Sequence, residues 1–538
     1  MKSMKEGTTK MKSMKKLVTL LFSLVMLCAL AIPVMAEEPT YSIIINGAKG
    51  HEYTAYQVFK GVYSTEDYNL SDVQWGDGVN GTAIVQELNA PSNKFDNKFG
   101  GVNATDTDAA EKVACILQGF GDKSEKLDEF ARIVGNNLTT HAAGKSSVAV
   151  DEDKKFTING LTAGYYFVKD TGTINAGEIA TKFLVKVVGN ATVDIKADAP
   201  TIKKEIVKKD GIADNHTSAN VGDKITFKLT ANVPDMASFD TYNFTISDTL
   251  SKGLTFDANT VVVKIGNIAL DKGRNYTLTA PNDPKIDNTF KIDFTKEQLG
   301  DNVKHAKGAE IVVTYEATLN SNALTVDKET NTAKLEYSNN PDGAGKGTTP
   351  AAPVYVYDFD LTVDKYDGTA NEHDNTKKLE NAVFVLYKGD GTNKEYYKWN
   401  AESEKVEWVS AENKDTATQQ TTDAKGKATF KGLEEGTYYL EEIKAPKGYN
   451  TLKDPVKVEI KATYNADGTL NTTAPDCKLE QDANSHYYQV QSIANKHGAV
   501  LPSTGGIGTT IFYVLGSIMA LGAAVLLIAK KRLNGQDR

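Results

Sequence analysis

Three side chains that could react with one another fall on the apolar faces of predicted strands in this chain of 538 residues. In PTIKKEI, successive side chains alternate between faces, which places Lys204 rather than Lys203 beside two isoleucines as the inward amine. In NFTISDTLSKGLTF, Asp248 shares a face with a phenylalanine and an isoleucine, and in AKLEYSNNP the alternation favours Asn339 over Asn340. Because an inward aspartate is costly unless paired, the pattern predicts a buried partner for Asp248. The alternative is a sheet edge where Asp248 faces solvent.

An amine, a carboxylic acid and an asparagine amide can form an amide crosslink when all three are buried. A lysine, with a pKa of about 10 in water, becomes a nucleophile when burial disfavours its charge, and burial also favours the protonated carboxylic acid. The acid can then polarise the amide carbonyl and carry protons while the amine attacks and ammonia leaves. This single-turnover reaction needs no cofactor and no metal ion, and neither is expected here.

Strands are the elements that must position these residues. Period-two alternation dominates between residues 40 and 500, as in KITFKLTANV (224–233), AEIVVTYEATL (309–319) and FVLYKG (384–389). Short strands at this spacing, ending in Asn, Asp, Gly or Pro clusters, indicate β-sandwiches. One stretch, residues 109–136, has helical periodicity. The sequence therefore predicts an all-β protein of tandem Ig-like sandwiches.

Two composition changes divide the exported chain. A proline interrupts the strand-rich pattern in ADAPTIKKEI (197–206), and NNPDGAGKGTTPAAPVY (339–355) has the composition of a Gly/Pro-rich linker. The predicted domains are residues 37–198, 199–350 and 351–498. FTINGLTAGYYFVKD and ATFKGLEEGTYYLEE form a weak repeat, which indicates that the first and third domains are related.

Both ends of the chain carry membrane-related signals. Six lysines among the first sixteen residues precede an apolar run and small residues ending at Ala36, so residues 1–36 are predicted to be a secretory signal peptide. The alternative is an N-terminal membrane anchor. Residues 507–529 are uncharged and long enough to cross a hydrocarbon layer of about 30 Å. The cations at 530–532 then stay cytoplasmic, and everything before the helix faces outward.

The charge and cysteine content exclude several classes of protein. Without the signal peptide (net +5) and the segment after Thr504 (net +3), the net charge of −9 becomes −17. Such an acidic ectodomain does not have the excess of basic residues that is typical of nucleic-acid-binding proteins. It also lacks a polybasic face for membrane binding. Cys28 leaves with the signal peptide, and Cys115 and Cys477 are too far apart to belong naturally to one domain. Rigidity must therefore come from something other than disulfides.

The C-terminus resembles the cell-wall sorting signal of Gram-positive surface proteins. Leu501-Pro502-Ser503-Thr504-Gly505 precedes the apolar helix and the basic tail, in the order typical of that signal. The resemblance implies cleavage between Thr504 and Gly505 by a sortase transpeptidase, which passes the Thr504 carbonyl to an amine. A single-pass protein with a chance pentapeptide is the alternative.

The third domain resembles the B-type domain of collagen adhesins, an Ig-like sandwich with a Lys–Asn amide bond promoted by a buried glutamate. FDLTVDKYD matches the first strand of that family, YYLEEIKAPKGY the glutamate motif and QSIANKHG the last strand. The resemblance implies a bond between Lys365 and Asn495 that is promoted by Glu442. Three surface residues without such a role are the alternative.

The second domain is similar to the related A-type domain, in which an aspartate promotes the bond. That resemblance implies a crosslink between Lys204 and Asn339, promoted by Asp248. When the two repeat segments are aligned, Lys169 of the first domain occupies the position of Glu442. The first domain therefore lacks the promoting acid, and we expect no such bond there.

GNATVDIKADAPTIKK resembles the pilin motif of Gram-positive shaft pilins, whose lysine accepts the sorting-motif threonine of the next subunit. The match points to Lys196, although Asp194-Ile195 replaces the family's tyrosine-proline. Lys182 and Lys186 are the alternatives.

The sequence thus predicts a major pilin, the shaft subunit of a cell-surface fimbria that is anchored in the Gram-positive cell wall and supports adhesion. Expected partners are sortases, identical subunits joined head to tail and peptidoglycan, with tip or basal pilins and host surface ligands as further candidates. A monomeric adhesin that binds a host matrix protein or glycan is the main alternative. An enzyme is disfavoured because no catalytic spacing, metal-ligand cluster or phosphate loop stands out, and the seven histidines are scattered.

Overall fold

A computed structural model describes residues 39–498 and 507–533, apart from short internal segments. Those segments are residues 48–50, 65, 67–68, 92, 122–123, 147–154, 176, 196–198, 238, 283–286, 300–306, 371 and 373. The predicted signal peptide, Lys196 and the sorting pentapeptide at 501–505 lie outside the described residues.

Two β-sheets and three helices make up the first unit of the chain. The helices are α1 (Gly81–Leu88), α2 (Ala109–Gln118) and α3 (Glu125–Asn136). The strands are β1 (Tyr41–Asn46), β2 (Tyr53–Ser64), β3 (Asn69–Trp75), β4 (Gly144–Lys145), β5 (Lys155–Leu161), β6 (Gly164–Asp170), β7 (Lys182–Val187) and β8 (Ala191–Asp194). One sheet has the order β5-β1-β8, and the other has the order β3-β2-β6-β7 with β4 on β2.

The helices of this unit follow from local capping and apolar periodicity. The predicted helical stretch 109–136 is present as α2 and α3, and α3 begins where the Ser124 hydroxyl accepts a hydrogen bond from the Lys126 N–H. Helix α1 was not predicted, and its N-terminus is capped by the Asn80 side chain, which accepts from the Ala83 N–H. The apolar faces of all three helices pack with residues of β2 and β3 in one buried cluster.

The middle unit is a sandwich of a six-stranded and a seven-stranded sheet. Its strands are β9 (Ile202–Val207), β10 (Ala213–Asp214), β11 (His216–Ser218), β12 (Lys224–Asn232), β13 (Phe244–Leu250), β14 (Leu254–Ile265), β15 (Ile268–Ala269), β16 (Thr277–Thr279), β17 (Thr289–Phe294), β18 (Glu310–Leu319), β19 (Glu329–Ser338), β20 (Lys346–Thr348) and β21 (Ala352–Tyr357). The sheet orders are β10-β9-β12-β18-β14-β15 and β11-β21-β19-β13-β17-β16, with β20 on β19. A short helix, α4 (Lys296–Leu299), follows β17, and a 3-10 helix spans Ser321–Thr325. The predicted alternation is present in β12 and β18, where every second residue is buried.

The third unit is a sandwich of a four-stranded and a six-stranded sheet. Its strands are β22 (Phe359–Asp367), β23 (Val383–Lys388), β24 (Glu395–Asn400), β25 (Lys405–Ser410), β26 (Gln420–Thr421), β27 (Lys427–Leu433), β28 (Gly436–Lys444), β29 (Val456–Ile460), β30 (Leu479–Gln481) and β31 (Tyr487–Asn495). Two 3-10 helices span Asn375–Lys377 and Ala411–Thr416. The sheet orders are β27-β22-β31-β30 and β25-β24-β23-β28-β29, with β26 on β23. The first and last strands, β22 and β31, are therefore parallel neighbours.

The middle and third units meet over a continuous apolar core. Buried residues of both sandwiches form one cluster. Strand β21 pairs with β19 and β11 of the middle sandwich, so residues 352–357 belong to that unit. The junction therefore lies at Asp358 rather than at the predicted boundary of 350/351. The predicted β-sandwich architecture is confirmed, with the helices of the first unit as an addition.

Candidate functional site

The third unit brings Lys365, Glu442 and Asn495 together between its two sheets. Lys365 lies on β22 and Asn495 at the end of β31, two positions beyond the residue that pairs with Lys365. Glu442 reaches the same point from β28 in the opposite sheet. All three residues are almost fully buried, with Lys365 at 0%, Asn495 at 1% and Glu442 at 5% exposure.

The contacts within this cluster join the amine, the amide and the acid. Lys365 Nζ donates to Asn495 Oδ1 at 2.6 Å and to the backbone oxygen of Ile493 at 3.1 Å. Asn495 Nδ2 donates to both carboxyl oxygens of Glu442, at 2.8 and 3.0 Å. The Leu452 N–H also donates to the Glu442 carboxyl group, at 2.8 Å. The amide is therefore held between the nucleophile and the acid.

Burial prepares the amine of Lys365 for reaction. Loss of solvent lowers the pKa of Lys365 to about 8, although the nearby carboxyl group of Glu442, 3.8 Å away, opposes this shift. A larger fraction of the amine is then neutral near neutral pH than for a lysine in water. The arrangement is suited to attack of Nζ on the side-chain carbon of Asn495.

The middle unit contains a second buried lysine and acid. Lys204 lies on β9 and Asp248 on β13, which belong to opposite sheets, and the Lys204 amine donates directly to the Asp248 carboxyl group. Both side chains are fully buried. Lys203 instead points outward and contacts Glu205. Burial lowers the pKa of Lys204 to about 8, against the opposing effect of Asp248.

The amide at this second cluster belongs to Asn331 on β19, which the sequence did not single out. Asn331 Nδ2 donates to the Tyr315 hydroxyl group at 2.6 Å, and Tyr315 in turn donates to Asp248 at 2.6 Å. Lys204 also donates to the Tyr315 oxygen, at 2.9 Å. Asn331 is 0% exposed, and its Oδ1 has no hydrogen-bond partner within the described part of the chain. Tyr315 thus connects the amine, the acid and the amide.

The structure does not bring Asn339 to this cluster. In the antiparallel pair of β13 and β19, Asp248 lies opposite Ala333 and Leu250 lies opposite Asn331, so Asn331 is the diagonal neighbour of Asp248. Asn339 follows the end of β19, where its backbone accepts from the Ala180 N–H at 2.8 Å. Asn331 and Asn339 are eight positions apart, so the period-two pattern assigns both to the same face although β19 ends before Asn339. Alternation therefore cannot separate them, whereas the register can.

The lysines of the first unit are placed at its junction with the middle unit. Lys169 and Lys182 both lie near Asp342, at 3.4 and 3.2 Å. The Lys182 side chain is only 2% exposed, and burial lowers the pKa of Lys182 while Asp342 opposes the shift. Burial also lowers the pKa of Lys186, which is partly exposed.

The C-terminal helix α5 (Ile507–Leu533) has the properties of a membrane anchor. The most apolar 18-residue window within Thr510–Leu533 has a mean hydropathy of 2.5, and by length and composition this helix can cross a membrane. Three cations, at 530–532, lie in its last turn.

Comparison with known proteins identifies the class. Three family models match separate regions: a Gram-positive pilin backbone subunit 2, Cna-B-like domain at residues 221–341, a prealbumin-like fold domain at 360–474 and an LPXTG cell wall anchor motif at 494–532. The chain is therefore a backbone pilin of the Gram-positive, sortase-anchored class, a structural protein attached to the cell wall.

Streptococcal surface proteins are among its relatives. The trypsin-resistant surface T6 protein of Streptococcus pyogenes serotype M6 is 23% identical, over 91% of this chain and 94% of that protein. The solved structure of the T6 backbone pilin of serotype M6 is similar with a TM-score of 0.49 and 16% identity, over 87% of this chain and 100% of that one. The group B streptococcus pilus 2b backbone protein is similar with a TM-score of 0.42 and 26% identity, over 56% of this chain and 99% of that one.

Proposed function

We propose that this chain is the repeating shaft subunit of a covalently polymerised pilus, stiffened by two intramolecular amide bonds. The bonds join Lys365 to Asn495 and Lys204 to Asn331. The observation that carries the proposal is the buried cluster of Lys365, Asn495 and Glu442, which places an amine, an amide and an acid in direct contact inside a sandwich core. An isolated charge there would be costly.

In the third unit, neutral Lys365 Nζ attacks the side-chain carbon of Asn495. The new C–N bond replaces the bond to Nδ2, and ammonia leaves. Glu442 receives the proton that the amine loses and delivers it to the departing nitrogen, which its carboxyl group already contacts.

In the middle unit the same bond exchange joins Lys204 Nζ to the side-chain carbon of Asn331. Asp248 contacts the amine directly and reaches the amide through the Tyr315 hydroxyl group. We assign proton transfer to Asp248 and assign to Tyr315 the positioning of the amide. The buried Oδ1 of Asn331 is the oxygen that the acid must polarise.

Assembly requires a further amine that accepts the Thr504 carbonyl of the next subunit. We propose that this amine belongs to Lys196. Lys182 is a poor acceptor because its side chain is buried against Asp342, whereas an acceptor must enter a sortase cleft. Lys186 is partly exposed and is the remaining alternative in β7. Joining each subunit to the next in this way produces an open, head-to-tail filament.

Lys196→Arg should abolish the ladder of high-mass, detergent- and heat-resistant species in cell-wall digests. Arginine keeps the charge but remains protonated and cannot act as the nucleophile. Immunoblots of wall digests measure the ladder, with Lys186→Arg as the matched control that should retain it. If Lys186→Arg alone removes the ladder, the acceptor is Lys186. A wild-type protein that never forms a ladder would contradict the shaft function and favour a monomeric adhesin.

Replacing Leu501 and Pro502 with alanine should prevent wall attachment and leave the protein in the membrane fraction. The helix α5 and its basic end would still hold the precursor, while the sortase could no longer recognise its motif. Fractionation of cells into wall, membrane and medium measures this outcome. Alanine at Lys496 should change nothing, since that residue lies outside the pentapeptide. Unchanged wall attachment of the double variant would exclude this motif as the sorting signal.

A further inference from the structure

Two aspartates and a histidine converge at the junction between the middle and third units. Asp358 directly follows β21, Asp360 lies in β22, and His486 directly precedes β31. One nitrogen or oxygen atom from each residue lies within 4.8 Å of the other two. Asp358 and His486 are only 5% and 2% exposed. His486 is distant in sequence from the two aspartates, which are two positions apart, so no spacing motif marks the three residues.

The distances within this cluster are longer than those of a normal N–H···O hydrogen bond. His486 Nε2 lies 3.6 Å from Asp358 Oδ2 and 3.4 Å from Asp360 Oδ1. Correspondingly, His486 Nε2 and Asp358 Oδ2 are buried without a hydrogen-bond partner among the described residues. Ligand atoms about 2.0–2.2 Å from a tetrahedral ion are separated by about 3.4 Å, which is close to both distances.

The other ring nitrogen fixes the orientation of the histidine. His486 Nδ1 lies 3.0 Å from the backbone oxygen of Val326, which can only accept, so Nδ1 carries a proton. Nε2 then faces two carboxyl groups, an arrangement that requires a positive charge between them, supplied by a proton on Nε2 or by a bound cation that replaces this proton. The Gly432 backbone N–H donates to Asp360 Oδ1 at 3.0 Å, and the backbone N–H of His486 donates to Asp482 Oδ1 at 2.9 Å. Such outer contacts are typical of the groups that orient metal ligands.

We propose that Asp358, Asp360 and His486 bind a divalent transition-metal ion, with Zn²⁺ as the representative of the class. An imidazole ligand disfavours Ca²⁺ and Mg²⁺, which prefer oxygen ligands alone. The Asp360 side chain is 18% exposed, which leaves an approach for the ion and for a water ligand.

The bound ion would link the two units. Val326 belongs to the middle unit and orients His486 of the third, and Asp358 is itself the connection between the two sandwiches. The ion therefore adds a contact across the junction that the amide bonds, each inside one unit, do not supply. This role is independent of whether the amide bonds form.

Zn²⁺ titration of the mature chain, residues 37–504, should reveal one site per chain by calorimetry and by metal analysis after gel filtration. Co²⁺ should bind at the same site and give visible absorption bands that report nitrogen and oxygen ligands. Asp360→Asn keeps the side-chain shape and the acceptor for Gly432 but removes a ligand charge, and it should weaken Zn²⁺ binding by about a hundredfold. His486→Gln should abolish the Co²⁺ bands.

His497→Gln is the matched control. His497 also lies near a carboxyl group, 3.7 Å from Asp367, but its side chain is 58% exposed and it has no second acid in this arrangement. This variant should bind Zn²⁺ like the wild type. The proposal is overturned if the wild type does not bind Zn²⁺ or Co²⁺, or if Asp360→Asn, with its thermal unfolding otherwise intact, binds as tightly as the wild type. Binding of Ca²⁺ in preference to Zn²⁺ would also overturn the assignment of the ion.

Discussion

Glu442→Gln should prevent the amide bond of the third unit and lower the free energy of unfolding of that unit by about 5 kcal/mol. Glutamine fills the same space but cannot shuttle the proton that the attack of Lys365 releases. The bond closes a loop of more than a hundred residues, and a crosslink of that span removes about 5 kcal/mol of unfolded-state entropy. Intact mass spectrometry of the mature chain should show the loss of one ammonia instead of two, and denaturant titration measures the stability.

The neighbouring residue provides the control for this variant. Glu441 points to the other face of β28, where it contacts Lys414 at 2.7 Å and Tyr396 at 3.3 Å. Glu441→Gln should retain both ammonia losses and cost at most about 1 kcal/mol, as expected for a partly exposed ion pair. A Glu442→Gln chain that still lacks two ammonia molecules would exclude Glu442 as the promoting acid. A wild-type chain of unshortened mass would exclude both bonds.

Asn331→Ala should remove the amide bond of the middle unit, whereas Asn339→Ala should leave it intact. Asn331 supplies the amide next to Tyr315 and Asp248, and Asn339 lies eight positions further along the chain, beyond the end of β19. The loop closed by Lys204 and Asn331 is again longer than a hundred residues, so we expect a similar loss of about 5 kcal/mol.

Peptide mass spectrometry identifies the joined residues directly in this case. A branched peptide containing Lys204 and Asn331 should occur in the wild type and in Asn339→Ala, and it should be missing from Asn331→Ala. Lys204→Met offers a second variant that loses the same bond without altering the amide. A branched peptide that contains Asn339 instead would refute the assignment of Asn331.

Alternation and motif resemblance pointed to the two lysines and the two acids that meet in the buried clusters, but alternation reports only the face of a strand. The period-two pattern assigns Asn331 and Asn339 to the same face as Leu335 and Tyr337, and choosing between them requires the register of β19 against β13. Register depends on contacts between strands distant in sequence, which no local pattern contains. In the third unit, each of the three residues had its own motif, and the structure brings these three together.

Other features depended on tertiary context in a similar way. Helix α1 is only eight residues long and packs against β2 and β3, so its periodicity is too short to be distinctive. The strand β21 follows a linker rich in glycine and proline, yet it pairs with β19 of the preceding sandwich. The ligands of the proposed metal site come from both ends of the third unit. Each of these features was visible only after chain segments remote in sequence had been placed side by side.

The parallel pairing of β22 with β31 also determines what happens when the filament is damaged. Once Lys365 and Asn495 are joined, the covalent path from one end of the subunit to the other runs through that bond and bypasses residues 366–494. A host protease that cuts the backbone within this segment would leave the two fragments attached and the filament unbroken. With the proposed bond in place, exposed loops in this segment would tolerate cleavage, and sequence change under immune selection, without interrupting the connection between the cell and the far end of the pilus.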